Sequence, residues 1–375
     1  MQRRTFVMSG LGPLFVAACG GGGEDAPALA DEQEATVLDA DDAASERGGR
    51  AIRFLEPVNG TESTGISVNN RGQVAGFTSA GETADFGTTL WSRGRAVRFP
   101  TLGGFGSGSP RCINDAGKIV GNSTLSVTAS HATLWTGGRP VDLGTLNDAT
   151  ASGATCINNA GQIVGWSYLG PGPVGTTHAL LWSGGRMIDL GTLPGGSLSR
   201  ASGINGAGTI VGSSSAGDGS GTHAVLWRDG TVIRLSGLGG TSNHAYAIND
   251  VGLIVGQCDP PNSQTSSRAV MWQGGRMTVL DSRGGDRAVA RDVNNFGQIV
   301  GSSSVGGHPE GHAMLWTGKT PIDLNDLLDA ASRNAGWYLA DASGISDIGW
   351  VTGTAFNTIT GARRAFLLLA NRWGV

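Results

Sequence analysis

A Leu-Trp pair recurs along this chain at Trp91, Trp135, Trp182, Trp227 and Trp316, with Met-Trp at Trp272, and the spacings are 44, 47, 45, 45 and 44 residues. Self-similarity at that period limits the fold to a repeat architecture before any single motif is weighed. Ahead of each pair stands a second motif. It reads "ISVNNRGQVAG", "RCINDAGKIVG", "TCINNAGQIVG", "SGINGAGTIVG", "YAINDVGLIVG", "RDVNNFGQIVG" and a drifted "SGISDIGWVTG", which makes seven copies. The last copy ends in "RAFLLL" with no Trp.

Each copy has the chemistry of two hairpins. In "INNAGQIVG", apolar residues flank a turn with Asn at its first position and Gly at its fourth, as a type I turn closed by a bulge prefers. "HALLW" and "RMIDL" alternate around "SGG" and form the second hairpin. Four short strands in about 45 residues make a propeller blade, and 64 glycines with only 15% charged residues suit many strands joined by tight turns. The alternation lets a blade bury both faces against its neighbours, with each Leu-Trp pair in the core. Seven first hairpins and seven third strands are present, yet only six fourth strands follow them. The missing one is "GGRAIRF", placed ahead of the first copy. As outer strand of the C-terminal blade it would cover an unpaired edge and close the ring. The expected fold is therefore all-β: a seven-bladed propeller over residues 48–375, closed by its own N-terminal strand. "NDLLDAASRNAG", with Asn325 as cap and Gly336 as stop, predicts one short helix between the sixth and seventh units.

The I-N-x-x-G-x-I-V-G core, His-Ala before Leu-Trp, the "DLGTL" ending and the "DLNDLL…GWYLADASGIS" bridge resemble the bacterial extracellular repeat family named for its His-Ala-Phe (HAF) motif. The Phe is Thr133, Leu180, Val225 and Met314 here, and Phe366 alone keeps it. The resemblance implies export and supplies no catalytic residue.

Residues 1–18 have the form of an export signal. Arg3 and Arg4 precede a short apolar run, and "RRTFVM" resembles a twin-arginine signal, with Sec export open because Gln2 and Met8 depart from the fuller pattern. Val16-Ala17-Ala18 resembles a lipobox, which would make Cys19 the lipidated N-terminus. The expected location is the periplasm or cell surface, with the outer membrane favoured where there is one, since Gly20 follows Cys19 rather than Asp. Residues 20–47 carry nine acidic residues, one Arg and no aromatic; they read as a flexible tether. "DADD" within it lacks the rest of a calcium loop. Beyond residue 50 the chain has 22 basic and 21 acidic residues, so there is no basic footprint for nucleic acid.

Little else points to chemistry. There is no G-x-S-x-G, H-E-x-x-H or CxxC, and the Gly pairs lie in turns, so no cofactor or metal is indicated. His131, His178, His223 and His312 share one repeat position, which a ring keeps apart; they are expected to bond neighbouring turns, while His244 and His308 stand isolated. Asp142, Asp189 and Asp323 fail as catalytic pairs for the same reason. Cys112 and Cys156 occupy a small-residue slot, held elsewhere by Ser67, Gly203, Ala247, Asp292 and Gly344. Sheets stacked about 10 Å apart are beyond disulfide reach, so Cys112, Cys156 and Cys258 are expected to be free buried thiols. One position varies without scaffold need: Ile66, Arg111, Thr155, Ser202, Tyr246, Arg291 and Ser343, just ahead of the slot. If it faces the axial mouth, Arg111, Tyr246 and Arg291, with Asp292 adjacent, could grip a carboxylate or sugar acid. Trp166 and Tyr168 are a second candidate, for stacking on a sugar or peptide. The sequence thus favours a monomeric, lipid-anchored binding or scaffold module with a protein or glycan ligand. The alternatives are a glycan-active enzyme at the axial mouth and a passive surface protein.

Overall fold

The computed structural model describes residues 52–370, apart from 80–85, 171–175, 264 and 306–307. The expected signal with Arg3 and Arg4, the lipid site Cys19 and the acidic tether lie outside the described residues. Among these residues the strands form seven four-stranded antiparallel sheets, the seven blades of the propeller. Blades 1 to 6 span 62–98, 108–142, 152–189, 199–234, 243–279 and 288–323. Blade 7 takes Trp337–Ile345, Trp350–Asn357 and Arg363–Leu369, and its outer strand is Arg53–Leu55. The register is Arg53 with Leu367, Phe54 with Phe366 and Leu55 with Ala365.

The repeated Trp residues are core, none more than 7% exposed. Burying one removes roughly 150–250 Å² from water, about 4–6 kcal/mol before entropy is counted. Each also needs a partner for its indole N–H. Trp91, Trp135, Trp182, Trp272 and Trp316 donate to the carbonyls of Glu56, Pro100, Leu143, Ser236 and Asp281 at 2.8–2.9 Å, all in the segment arriving from the previous blade. In five of the six blades that carry it the Trp is thus both packing and inter-blade tie, while Trp227 Nε1 is buried without a hydrogen-bond partner among the described residues. The apolar clusters likewise span blade junctions: Val164 of blade 3 packs with Ala201, Ile204, Ile210 and Trp227 of blade 4.

The predicted helix is shorter and capped differently. A 3-10 turn, Leu324–Leu327, is capped by Asp323, and the helix Ala330–Asn334 by Asp329, whose side chain accepts from Ser332 N. Asn325 instead bridges to the innermost strand of blade 7, through Leu339 N and O. Gly336 ends the segment at φ +87, a conformation natural to Gly.

Candidate functional site

Every innermost strand carries a β-bulge at the same repeat position. The register skips a residue between 65 and 67, 110 and 112, 154 and 156, 201 and 203, 245 and 247, 290 and 292, and 342 and 344. The extra residues are Ile66, Arg111, Thr155, Ser202, Tyr246, Arg291 and Ser343, the variable set singled out by the sequence. The final Gly of the "IVG" motif makes the bulge possible. A Cβ on Gly121 would lie 2.1 Å from Ser109 O, and one on Gly256 2.0 Å from His244 O, so the innermost strand can bend only over a residue without a side chain. A bulge re-aims a side chain, and here it aims at the axis.

Interactions between blades that are not neighbours establish this. Arg111 of blade 2 feels Arg291 of blade 6, and Asp292 of blade 6 feels Cys112 and Cys156 of blades 2 and 3. Such pairs meet only across the central channel. Arg291 donates from Nε to Asp341 Oδ1 at 2.9 Å. Asp341 first, against burial, raises the pKa of Arg291. Tyr246 is raised by burial, with Arg291 acting the other way. Arg111 differs. Its guanidinium makes no hydrogen bond and no ion pair among the described residues, and burial followed by the like charge of Arg291 lowers its pKa. Sequence reasoning missed Asp341, two residues ahead of the bulge in blade 7. His244 holds the corresponding place in blade 5 and is not isolated. It stacks on Tyr246 with ring centroids 6.0 Å apart and bonds Ser242 Oγ through Nε2 at 3.1 Å. His308 has no described side chain.

The slot residues sit one step deeper. Ser67 Oγ accepts from Ile113 N at 3.3 Å, Cys112 Sγ from Ile157 N at 3.4 Å, and Asp292 Oδ2 from Ile345 N at 2.9 Å. Each slot side chain that can accept therefore takes an N–H of the next blade. The expected 10 Å separation of Cys112 and Cys156 is overturned: their sulfurs are 3.2 Å apart. Blades are radial wedges, so their innermost strands converge at the axis, where the face-to-face sheet spacing does not apply. Both thiols are half-buried, whereas Cys258 is buried, and burial pushes Cys258 up to about 12.

Asp292 also accepts from Val293 N at 2.8 Å. Burial pushes it up to about 6, against the pull of these two N–H groups and with help from the Asp347 charge. An acid whose folded pKa exceeds its unfolded value binds its proton more tightly when folded. Its contribution therefore favours the fold at low pH and is withdrawn as pH rises from about 4 to about 6. A shift of this size is worth about 3 kcal/mol. Asp292→Ser, which copies Ser67 of blade 1, is expected to gain stability over the parent at pH 7.5 and to lose that advantage by pH 4. Urea melts at both pH values check this. An equal difference at the two would mean that Asp292 titrates normally.

The repeated His and Asp residues pair with each other, and do not simply bond nearby turns. His131 Nδ1 meets Asp142 at 2.9 Å, His178 meets Asp189 at 2.8 Å and His312 meets Asp323 at 2.6 Å. The same carboxylates accept from Gly144, Gly191 and Asn325 N and so hold the turn as well. Where Arg234 replaces the Asp, His223 bonds Ser220 Oγ at 2.8 Å, and Arg234 lies 3.7 Å from Asp218. Blade 1 has Gly87 in place of the His, and a Cβ there would lie 1.9 Å from Nε of Arg98, the Asp replacement. These are compensated structural pairs. Trp166 is 5.5 Å from Tyr168, and the Arg200 guanidinium covers its ring at 4.4 Å, so that face is already occupied. A polar cavity of about 410 Å³ between blades 5 and 6 is lined by Gln257, Asp259, Ser267, Arg287 and Ser302 among others.

No family model and no curated protein matches the chain. The β-propeller domain of the Trilobed protease from Pyrococcus furiosus, which has an open velcro topology, superposes with a TM-score of 0.50 at 11% identity, over 82% of this chain and 95% of that one. TolB from Acinetobacter baumannii matches with a TM-score of 0.40 at 12% identity, over 83% of this chain and 65% of that one. A gluconolactonase from Xanthomonas campestris gives 0.42 at 11%, over 85% and 90%. The likeness to the protease domain is one of fold alone, and in the present chain the first strand closes the last blade.

Proposed function

We propose that this chain is an exported, lipid-anchored binding module of the cell envelope, held by Cys19 and acting as a monomer, whose axial channel takes an anionic group of a glycan or protein ligand. The observation that carries the reading is Arg111. Its guanidinium projects from a bulge into the channel and lacks a carboxylate partner, and it faces a second guanidinium, that of Arg291. A carboxylate between the two would relieve the repulsion, and Tyr246 adds a hydroxyl donor. The HAF-like repeats and the lipobox-like "VAAC" support the envelope assignment. A glycan-hydrolase reading would need a second carboxylate of raised pKa facing Asp292, and Asp341 is held by Arg291 instead.

The test is a thermal-shift series with glucuronate, galacturonate, N-acetylneuraminate and triglycine, and with glucose as the neutral control. At least one acid is expected to raise Tm by about 2 °C or more when well above its Kd, while glucose has no effect. Arg111→Ala is the discriminating variant, since that side chain supports nothing in the fold. It should melt no lower than the parent and lose the acid-induced shift. Shifts that persist in Arg111→Ala would place binding elsewhere, and no shift with any acid would sink the reading.

A further inference from the structure

The slot position brings neighbouring blades into close backbone approach near the axis. A Cβ on Gly203 would lie 3.1 Å from Cα of Ala247, and one on Gly344 would lie 3.1 Å from Cα of Ser67. At those two junctions, 4/5 and 7/1, consecutive slots therefore stand at most about 4.6 Å apart between Cα atoms, near the short end of the span a disulfide bridges. Around the ring the slots read Ser67, Cys112, Cys156, Gly203, Ala247, Asp292 and Gly344. Cysteine occupies two consecutive slots at one junction, 2/3, and there the sulfurs are already 3.2 Å apart. Their closure to bonding distance needs a movement of about 1 Å.

We propose that Cys112 and Cys156 are a disulfide site, an axial crosslink that joins blades 2 and 3 when the protein meets an oxidising thiol–disulfide couple. The chemistry balances with such a couple as oxidant. Two S–H bonds break and one S–S bond forms, and two electrons and two protons pass to an external disulfide, which is reduced to two thiols. The two thiols share one hydrogen bond at 3.2 Å, so whichever loses its proton attacks the external disulfide and the other resolves the mixed disulfide. Cys258 is buried in another cluster, with Ile254, Val270 and Trp272 of blade 5, and takes no part.

The experiment equilibrates the full chain in glutathione buffers from fully reduced to fully oxidised, quenches with an alkylating agent and maps peptides by mass spectrometry. A linked Cys112–Cys156 peptide is expected in oxidising buffer, with Cys258 still alkylated. Its formation should raise Tm by about 5 °C over the reduced form, from closure of a loop of some 45 residues. Cys112→Ser and Cys156→Ser, which again copy Ser67, should fold, form no link and melt identically in both buffers. Quantitative alkylation of both thiols in fully oxidised buffer, or linkage of either to a different cysteine, would overturn the proposal.

Discussion

Deletion of residues 48–57 is expected to abolish the single cooperative melt of the domain. Blade 7 would lose its outer strand, Arg53–Leu55, and expose the backbone edge of Arg363–Leu369. It would also lose Ile52, which is 9% exposed in the largest apolar cluster, and Phe54, stacked on Trp337 at 4.7 Å. Ties to blade 1 would go with them, Trp91 Nε1 to Glu56 O at 2.8 Å and Ser63 Oγ to Leu55 O at 2.5 Å, as would the ion pair of Arg364 Nε in blade 7 with Glu56 Oε2 at 3.1 Å. Ile52, with the partly buried Phe54 and Leu55, is worth about 5 kcal/mol, a large share of the 5–15 kcal/mol by which domains are stable. Calorimetry should show a broad, non-two-state transition at markedly lower temperature. Phe54→Ala, which keeps the strand and loses the stack, should remain cooperative with a Tm lowered by several degrees. A deletion variant that melts like the parent would mean that blade 7 is stable with an open edge, and that the ring is held by its inner contacts alone.

That possibility has physical content, because the ring is tied twice, and only the outer tie could be read from the sequence. Counting strands was enough to place "GGRAIRF" on the last blade, since hairpin patterns and an odd strand are visible in a one-dimensional text. The variable position ahead of the slot was also visible, because a repeat supplies its own internal comparison. The bulge that gives that position its meaning was not. It depends on Gly121 and its equivalents lying directly against the innermost-strand carbonyl, and a Gly that allows close approach looks in sequence like any other Gly of a β protein. The approach of Cys112 and Cys156 is hidden for a related reason: the 10 Å spacing of stacked sheets does not hold where blades converge on the axis. Asp341 escaped notice because the sequence gives no sign that a residue two places before the bulge also reaches the channel, where Arg291 takes its carboxylate.

The inner tie is the Asn of the "IN" motif, and it carries the second large effect. As expected for its turn, Asn158 Oδ1 accepts from Gln162 N at 2.9 Å. Its Nδ2, however, donates both to Gln162 Oε1 at 2.8 Å and to Asn205 O of the next blade at 3.0 Å. The same cross-blade bond runs from Asn69 to Asn114 O, Asn114 to Asn158 O, Asn205 to Asn249 O, Asn249 to Asn294 O and Asn294 to Ser346 O. The chain of amides thus circles the axis through six junctions. At the seventh, Ser346 Oγ accepts only from Trp350 N, and Asp347 N closes the ring by donating to Asn70 Oδ1 at 2.9 Å. All six Asn residues are at least nine-tenths buried, so a truncated one leaves backbone groups dry and unpaired. Asn158→Ala strands Gln162 N and Asn205 O together and is expected to cost about 3 kcal/mol. Asn158→Ser imitates Ser346: it keeps the turn bond and loses the cross-blade one, so its cost should fall about midway. Urea denaturation of the three proteins resolves the order. If Ser proves as stable as Asn, the cross-blade bonds contribute nothing net, and the Asn is held by its turn alone. If Ser proves as costly as Ala, the bond to the next blade dominates, and the axial ring of amides stabilises the closed propeller more than any single turn does.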